Sequence, residues 1–105
     1  MYQFLAKEQT LVLGQDLGHA QVAQLEKDLP KLKAELKTLT GDNLKLDFTC
    51  CKNLDTSGFA FLLILLRYIQ QDNQLKTKQV QILGAEKIKV YSTLYDLEGY
   101  LAPYF

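Results

Sequence analysis

The period of apolar and polar residues changes several times along the chain, and each change predicts a new element. Residues 2–8 and 10–13 are rich in β-forming side chains and predict a hairpin-like pair of strands. Residues 44–49 alternate apolar and polar positions, which is typical of a strand with one solvent-facing side. Residues 80–83 predict a fourth short strand, ended by Gly84.

Helical periodicity fills the intervals between these strands. From His19 to Leu39 the apolar residues recur every three or four positions, which predicts an amphipathic helix. Pro30 lies inside that pattern and predicts a kink or a split near Asp28-Leu29. Residues 59–69 are leucine-rich and predict a second helix. A third is predicted over Ala85 to Tyr95, with its apolar positions at Ile88, Val90, Tyr91, Leu94 and Tyr95.

This order of elements predicts an α/β fold. Helices that separate strands imply right-handed crossovers between parallel neighbours. We therefore expect a single domain over residues 1–105: a mixed, mostly parallel sheet of four to five strands covered by helices.

Composition narrows the classes of partner. The 12 basic residues balance the 12 acidic ones, so the net charge gives no indication that the protein binds nucleic acid or an anionic membrane. The longest apolar run is shorter than the roughly 20 residues that span a bilayer. Lys7 and Glu8 interrupt the early apolar stretch, which argues against a secretory signal. We expect a cytoplasmic protein without direct membrane insertion.

The residues with reactive side chains favour a protein that is not an enzyme. The single histidine, His19, precedes the first helix, where a surface or capping role is expected. The sequence after Ser57 is not the Gly-x-Ser-x-Gly elbow of hydrolases, and no phosphate loop or metal-ligand cluster appears. Cys50 and Cys51 are adjacent, a spacing that suits neither a zinc site nor a routine structural disulfide, so we expect two reduced thiols. We expect no cofactor and no metal.

The stretch Leu54-Asp55-Thr56-Ser57-Gly58 is the first candidate site. Asp, Thr and Ser are N-cap residues, and Gly58 permits a tight turn from strand to helix. Free backbone N–H groups at a helix N-terminus favour negative charge, so a hydroxyl there lies where a phosphate would be stabilised. An ordinary helix cap with no further role is the alternative, and the residues by themselves favour it.

The second candidate site is a stripe on the helix that follows. Phe59, Leu62, Leu63, Leu66 and Ile69 form one apolar face, and Phe61, Ile64, Leu65 and Tyr68 form another. A helix on one side of a sheet buries a single apolar stripe against that sheet, so the second stripe must be covered by neighbouring helices or by a partner protein. We predict that part of it docks a partner, with Thr56 at its upper end and Tyr91 or Tyr95 beside it. Packing against the last helix is the alternative.

The stretch Leu54–Leu63 resembles the signature of STAS domains, the family named after sulfate transporters and anti-sigma-factor antagonists. The resemblance extends over roughly Leu11 to Leu97 and includes Gly14-Gln15-Asp16-Leu17, which is similar to the family's Gly-Glu-Leu-Asp. Lys89-Val90-Tyr91 and Leu94-Tyr95-Asp96-Leu97 look most like one branch, the small STAS subunit of the Mla phospholipid-transport ABC complex.

The resemblance implies a function. In that branch the domain is a non-enzymatic subunit that binds the cytoplasmic ATPase of the transporter, and the threonine matching Thr56 lies at the contact. The other branch implies an anti-sigma-factor antagonist, which an anti-sigma kinase would phosphorylate at Thr56 or at the adjacent Ser57. Either role assigns the recognition site to Asp55, Thr56, Ser57 and Gly58.

Overall fold

A computed structural model of the protein describes residues 2–105 and confirms the α/β class. Its six strands are β1 (Tyr2–Leu5), β2 (Thr10–Leu13), β3 (Asp16–Leu17), β4 (Asn43–Asp47), β5 (Asn53–Leu54) and β6 (Gln79–Leu83). Its four α-helices are α1 (His19–Leu36), α2 (Thr56–Gln71), α3 (Glu86–Leu94) and α4 (Glu98–Leu101). Short 3-10 turns span Ala6–Glu8 and Ala102–Tyr104.

The main sheet is mixed and has four strands, within the predicted number, in the order β1-β2-β4-β6. The β1–β2 pair is antiparallel, whereas β4 runs parallel to both of its neighbours. The register aligns Leu11 with Leu46 and Leu46 with Ile82, and all three are buried. The neighbouring row, with Lys45 beside Gln81, is exposed. Because α1 and α2 belong to consecutive crossovers in the same direction, they lie side by side on the buried face of the sheet.

A second sheet of two short strands was not predicted. Strand β3 pairs in parallel with β5, and Asn53 Nδ2 donates to Asp16 Oδ1 at 2.7 Å. Each of these strands immediately precedes a helix, β3 before α1 and β5 before α2. The small sheet therefore holds the N-termini of the two helices next to each other.

Helix α1 runs through Pro30 as one element, so the predicted split is wrong. Proline removes one backbone hydrogen bond and costs about 3 kcal/mol in a helix interior. Leu25 precedes it and Leu32 and Leu36 follow it, and all three are fully buried. Burial on both sides of the proline offsets the lost bond, since each buried leucine contributes about 1.5–3 kcal/mol.

The sequence also overestimated the apolar contacts of α3. Val90 and Leu94 were predicted apolar contact positions, yet they are 67% and 68% exposed. Ile88 is buried, Tyr91 is half-buried, and a buried serine, Ser92, completes the inner face. Helix α3 has only nine residues, so one narrow buried face along the helix is enough to hold it against the core.

Candidate functional site

Asp55, one of the candidate N-cap residues in the sequence, caps α2, and it also binds the start of α1. Its Oδ1 accepts from the Gly58 backbone N–H at 3.1 Å. Its Oδ2 accepts from the backbone N–H of His19, the first residue of α1, at 3.1 Å. Gly18, the N-cap residue of α1, has no side chain to offer that helix. One carboxylate therefore complements the positive ends of two helices.

Gly58 is required by the packing at the start of α2. A Cβ atom on this residue would lie 2.4 Å from the Leu17 carbonyl oxygen and 2.5 Å from Leu54 Cδ1. Both neighbours belong to the β3–β5 sheet. Only glycine lets α2 approach that sheet this closely, so the role of Gly58 in the structure is packing.

Thr56 and Ser57 present their hydroxyl-bearing side chains beyond this capped end. Thr56 is exposed, as expected, and Ser57 is partly exposed. His19 contacts Asp55 through its backbone N–H, and its side chain is exposed. The geometry at this end therefore consists of two accessible hydroxyls beside a carboxylate that is already engaged.

The two predicted stripes of α2 are distributed differently from the prediction. Phe61 is 2% exposed and Leu65 is 1% exposed, so both belong to the core, and the prediction of Phe61 as an exposed docking residue is wrong. Helix α2 lies between α1 and α3 and is covered on more than one side. Ile64 is 48% exposed. Tyr68 is partly exposed and Leu63, assigned to the core face, is also partly exposed.

The uncovered ridge of α2 borders two open grooves. The larger, of about 500 Å³, lies toward α3 and is lined by Thr56, Ser57, Phe59, Ala60, Leu63, Tyr95 and Leu97. The smaller, of about 220 Å³, lies toward α1 and is lined by His19, Val22, Ala23, Glu26, Ser57, Ala60, Phe61 and Ile64. Ser57 and Ala60 border both grooves, so the ridge and its flanks form one continuous surface. We call this the α2 ridge surface.

Three aromatic rings form the α3 side of this surface. The ring centroid of Phe59 lies 5.5 Å from that of Tyr91 and 6.0 Å from that of Tyr95, and the two tyrosine centroids are 6.5 Å apart. All three pairs are stacked. The Tyr91 hydroxyl donates to the Leu54 carbonyl at 3.0 Å, which fixes the stack against the end of β5. Tyr95 is 49% exposed, whereas Phe59 is buried. Tyr95 therefore presents a rigid aromatic face to the groove.

Tyr68 belongs to a different environment, at the interface with α1. The Lys33 ammonium group lies 4.7 Å from the centre of its ring. Its hydroxyl is buried and makes no hydrogen bond within residues 2–105. Burial, followed by the negative charge of Asp72, raises the pKa of this hydroxyl. Since Tyr68 faces α1, the structure separates it from Tyr95 and the larger groove.

The sequence missed Ala60 and Leu97 as surface residues of the site. Ala60 is small enough to be overlooked in a run of large apolar residues, yet it lies at the centre of the ridge. Leu97 follows the end of α3, where helical periodicity no longer gives information. Its backbone N–H bonds to the Ser92 carbonyl at 2.8 Å, which turns the chain toward the groove.

Two further properties were determined for the part of the chain that the structure describes. Residues 2–105 contain no group of three or more His, Cys, Asp or Glu side chains arranged to hold a metal ion. None of the helices within the same range is both long and apolar enough to cross a membrane. Comparisons of this chain with protein-family models, curated proteins and solved structures found no match.

Proposed function

We propose that this protein is a non-enzymatic, cytoplasmic subunit that binds the ATPase of a phospholipid-transport ABC transporter through the α2 ridge surface. The observation that carries the proposal is the exposed Thr56 at the start of α2, directly beside an apolar groove. The stretch that resembles the STAS signature forms this same turn and ridge.

The character of the surface supports a protein partner. Ile64 and Tyr95 are large apolar side chains that are about half exposed. Rigid aromatic and aliphatic anchors beside a pocket are typical of the centres of protein interfaces. Thr56 at the rim adds a polar contact whose position is fixed by the Asp55 cap. A single surface therefore combines anchors with a point of specificity.

The test is co-expression with the ATPase of a phospholipid-transport ABC complex, with co-elution and ATP hydrolysis as readouts. Thr56→Glu should weaken binding more than about tenfold, or about 1.4 kcal/mol, because it adds charge and bulk at the contact. Its fold should persist, since negative charge is tolerated at a helix N-terminus. Ile64→Ala should weaken binding without lowering the melting temperature appreciably.

The matched control is Thr77→Glu, which places the same charge on an exposed threonine in the turn after α2, at the opposite end of that helix. It should bind like the wild type. Undiminished binding by a folded Thr56→Glu variant would remove Thr56 from the contact. If the wild type fails to co-elute with the ATPase, the proposal itself is contradicted.

The second candidate function is an anti-sigma-factor antagonist, favoured by the accessibility of the Thr56 and Ser57 hydroxyls. In this role an anti-sigma kinase would transfer a phosphate to one of them, and the added charge would block binding. Incubation with such a kinase and ATP, followed by mass spectrometry, tests it. Phosphate on residue 56 or 57 supports the switch, and an unmodified protein that binds the ATPase excludes it.

A further inference from the structure

Two adjacent thiols lie in the turn between β4 and β5, outside the α2 ridge surface. Cys50 is exposed, Cys51 is partly exposed, and neither forms a disulfide. A hydrogen bond of 2.9 Å from the Cys51 backbone N–H to the Phe48 carbonyl closes the turn. The Cys51 Sγ atom lies 3.4 Å from the Asn53 carbonyl oxygen, to which it donates.

Cys50 borders a small open cavity of about 200 Å³ on the side of the hairpin formed by β1 and β2. Gln3 and Gln15, which are both exposed, line it together with Tyr2, Val12, Leu13 and Gly14. An open cavity of about 200 Å³ has room for one residue-sized group, so a small molecule can place one part of itself beside Cys50. The exposed thiol therefore faces a place where a small reagent can bind.

We propose that Cys50 and Cys51 form a thiol–disulfide exchange site for a low-molecular-weight peptide disulfide of the glutathione type. The Cys50 thiolate attacks one sulfur of that disulfide, a mixed disulfide forms, and one small thiolate leaves and takes a proton from solvent. Cys51 then loses its proton to solvent and attacks the Cys50 sulfur. The new Cys50–Cys51 bond releases the second small thiolate, which is also protonated, so the protein is oxidised by two electrons and the small disulfide is reduced to two thiols.

The surroundings of the two thiols assign their order of reaction. Burial, the largest influence, raises the pKa of the Cys51 thiol, and nearby Lys87 only partly opposes it. Cys51 therefore keeps its proton longer than an exposed thiol does, which favours Cys50 as the first nucleophile. Cys50 is accessible on the cavity side and takes the first step.

The product is expected to be readily reversible. Adjacent Cα atoms are about 3.8 Å apart across a trans peptide, closer than the roughly 4.4–6.8 Å usual for disulfides. Such a ring is strained and easily reduced. Closing it also withdraws Cys51 Sγ from the Asn53 carbonyl, in the strand that leads to Asp55. We expect oxidation to lower the melting temperature and reduction to restore it.

The experiment exposes the reduced protein to glutathione disulfide, blocks the remaining thiols with an alkylating agent, and measures intact and peptide masses. With glutathione disulfide in large excess, which drives closure of the strained ring, the wild type should lose the mass of two hydrogen atoms, carry no lasting adduct and contain no alkylated thiol. Dithiothreitol should reverse the change. Cys51→Ser should accumulate a glutathione adduct on Cys50, whereas Cys50→Ser should remain largely unmodified.

Three results would overturn the proposal: a wild type that keeps a stable adduct, one that forms disulfide-linked dimers, or one that stays fully alkylated. If Cys51→Ser does not fold, the wild type and Cys50→Ser still decide the question, because Cys50 is exposed and its replacement leaves the core intact. A peptide containing an internal Cys50–Cys51 disulfide is then the supporting result.

Discussion

The two ends of α2 are each tied to α1 by an aspartate, yet only the start of the helix borders an apolar groove. At the start, Asp55 accepts from the backbone N–H groups of Gly58 and His19. At the far end, Asp72 pairs at 3.2 Å with Lys37, the C-cap residue of α1. The ends meet in this way because both helices follow parallel strands on the same face of the sheet.

The electrostatics of the two ends are opposite. A carboxylate at a helix N-terminus complements the positive end of the helix dipole, whereas one at the C-terminus faces the negative end. Asp72 compensates by accepting from the backbone N–H groups of Gln74 and Leu75 as well as from Lys37.

The surroundings of the two aspartates differ as well. Gln70, Gln71, Asn73 and Gln74 are exposed at the far end, whereas the start borders an apolar groove. The comparison teaches that the carboxylate does not distinguish the two ends, whereas the uncovered apolar neighbours do.

Gly58→Ala is the change expected to damage the start of α2 most. The added methyl group would meet the Leu17 carbonyl oxygen at 2.4 Å, and a backbone atom cannot move aside without shifting the β3–β5 sheet. We expect a loss of about 1–3 kcal/mol in the free energy of unfolding, measured by urea denaturation.

The control is Gly99→Ala in α4, where a Cβ atom has no neighbour within 4 Å. Alanine is the better helix former, so this variant should be neutral or slightly more stable. Equal stability of the two variants would mean that the close approach of α2 to β3 is not as described.

Asp55→Ala should remove the shared cap. Loss of an N-cap side chain costs about 0.5–2 kcal/mol, and Asp55 serves two helix ends, so we expect the upper part of that range. The amide of His19, freed from its acceptor, should also exchange with solvent faster in hydrogen-exchange measurements. Asp55→Asn retains one acceptor oxygen and should lie between the wild type and Asp55→Ala. An unchanged exchange rate at His19 in a destabilised Asp55→Ala variant would refute the link between the helices.

Local chemistry explains what the sequence could predict. The cap at the start of α2 falls on Asp55, one of the candidates, and Thr56 is exposed as expected; both depend on a few consecutive residues. Strict alternation in residues 44–49 gave β4 with its inner leucines, Leu44 and Leu46, fully buried. In both cases the deciding interactions lie within one element or between neighbouring strands.

Contacts between distant elements explain what it could not predict. Phe61 was assigned to an uncovered stripe because periodicity cannot say that α1 lies beside it. The β3–β5 sheet has two residues in each strand, too few to produce an alternating pattern. The second function of Asp55 depends on His19, which is 36 residues away in sequence.

The smallest expected effect is at the far end of α2, and it depends on pH. Burial raises the pKa of Asp72, but hydrogen bonds from Lys37 and from the backbone N–H groups of Gln74 and Leu75 outweigh it, so the net pKa lies below its usual value. A carboxyl with a lowered folded-state pKa adds stability above its unfolded-state pKa, and that stability is lost as the pH falls through the folded-state pKa.

The melting temperature of the wild type should therefore exceed that of Asp72→Asn slightly at neutral pH. The gap should close below about pH 4, where unfolded aspartate is protonated, and high salt should narrow it because Lys37 is about half exposed. Thermal melts of both proteins across this pH range isolate Asp72, since the other carboxyls titrate in both. A gap that persists unchanged in strong acid would show that the charge of Asp72 does not stabilise this end, and the resemblance between the two ends would then be one of position only.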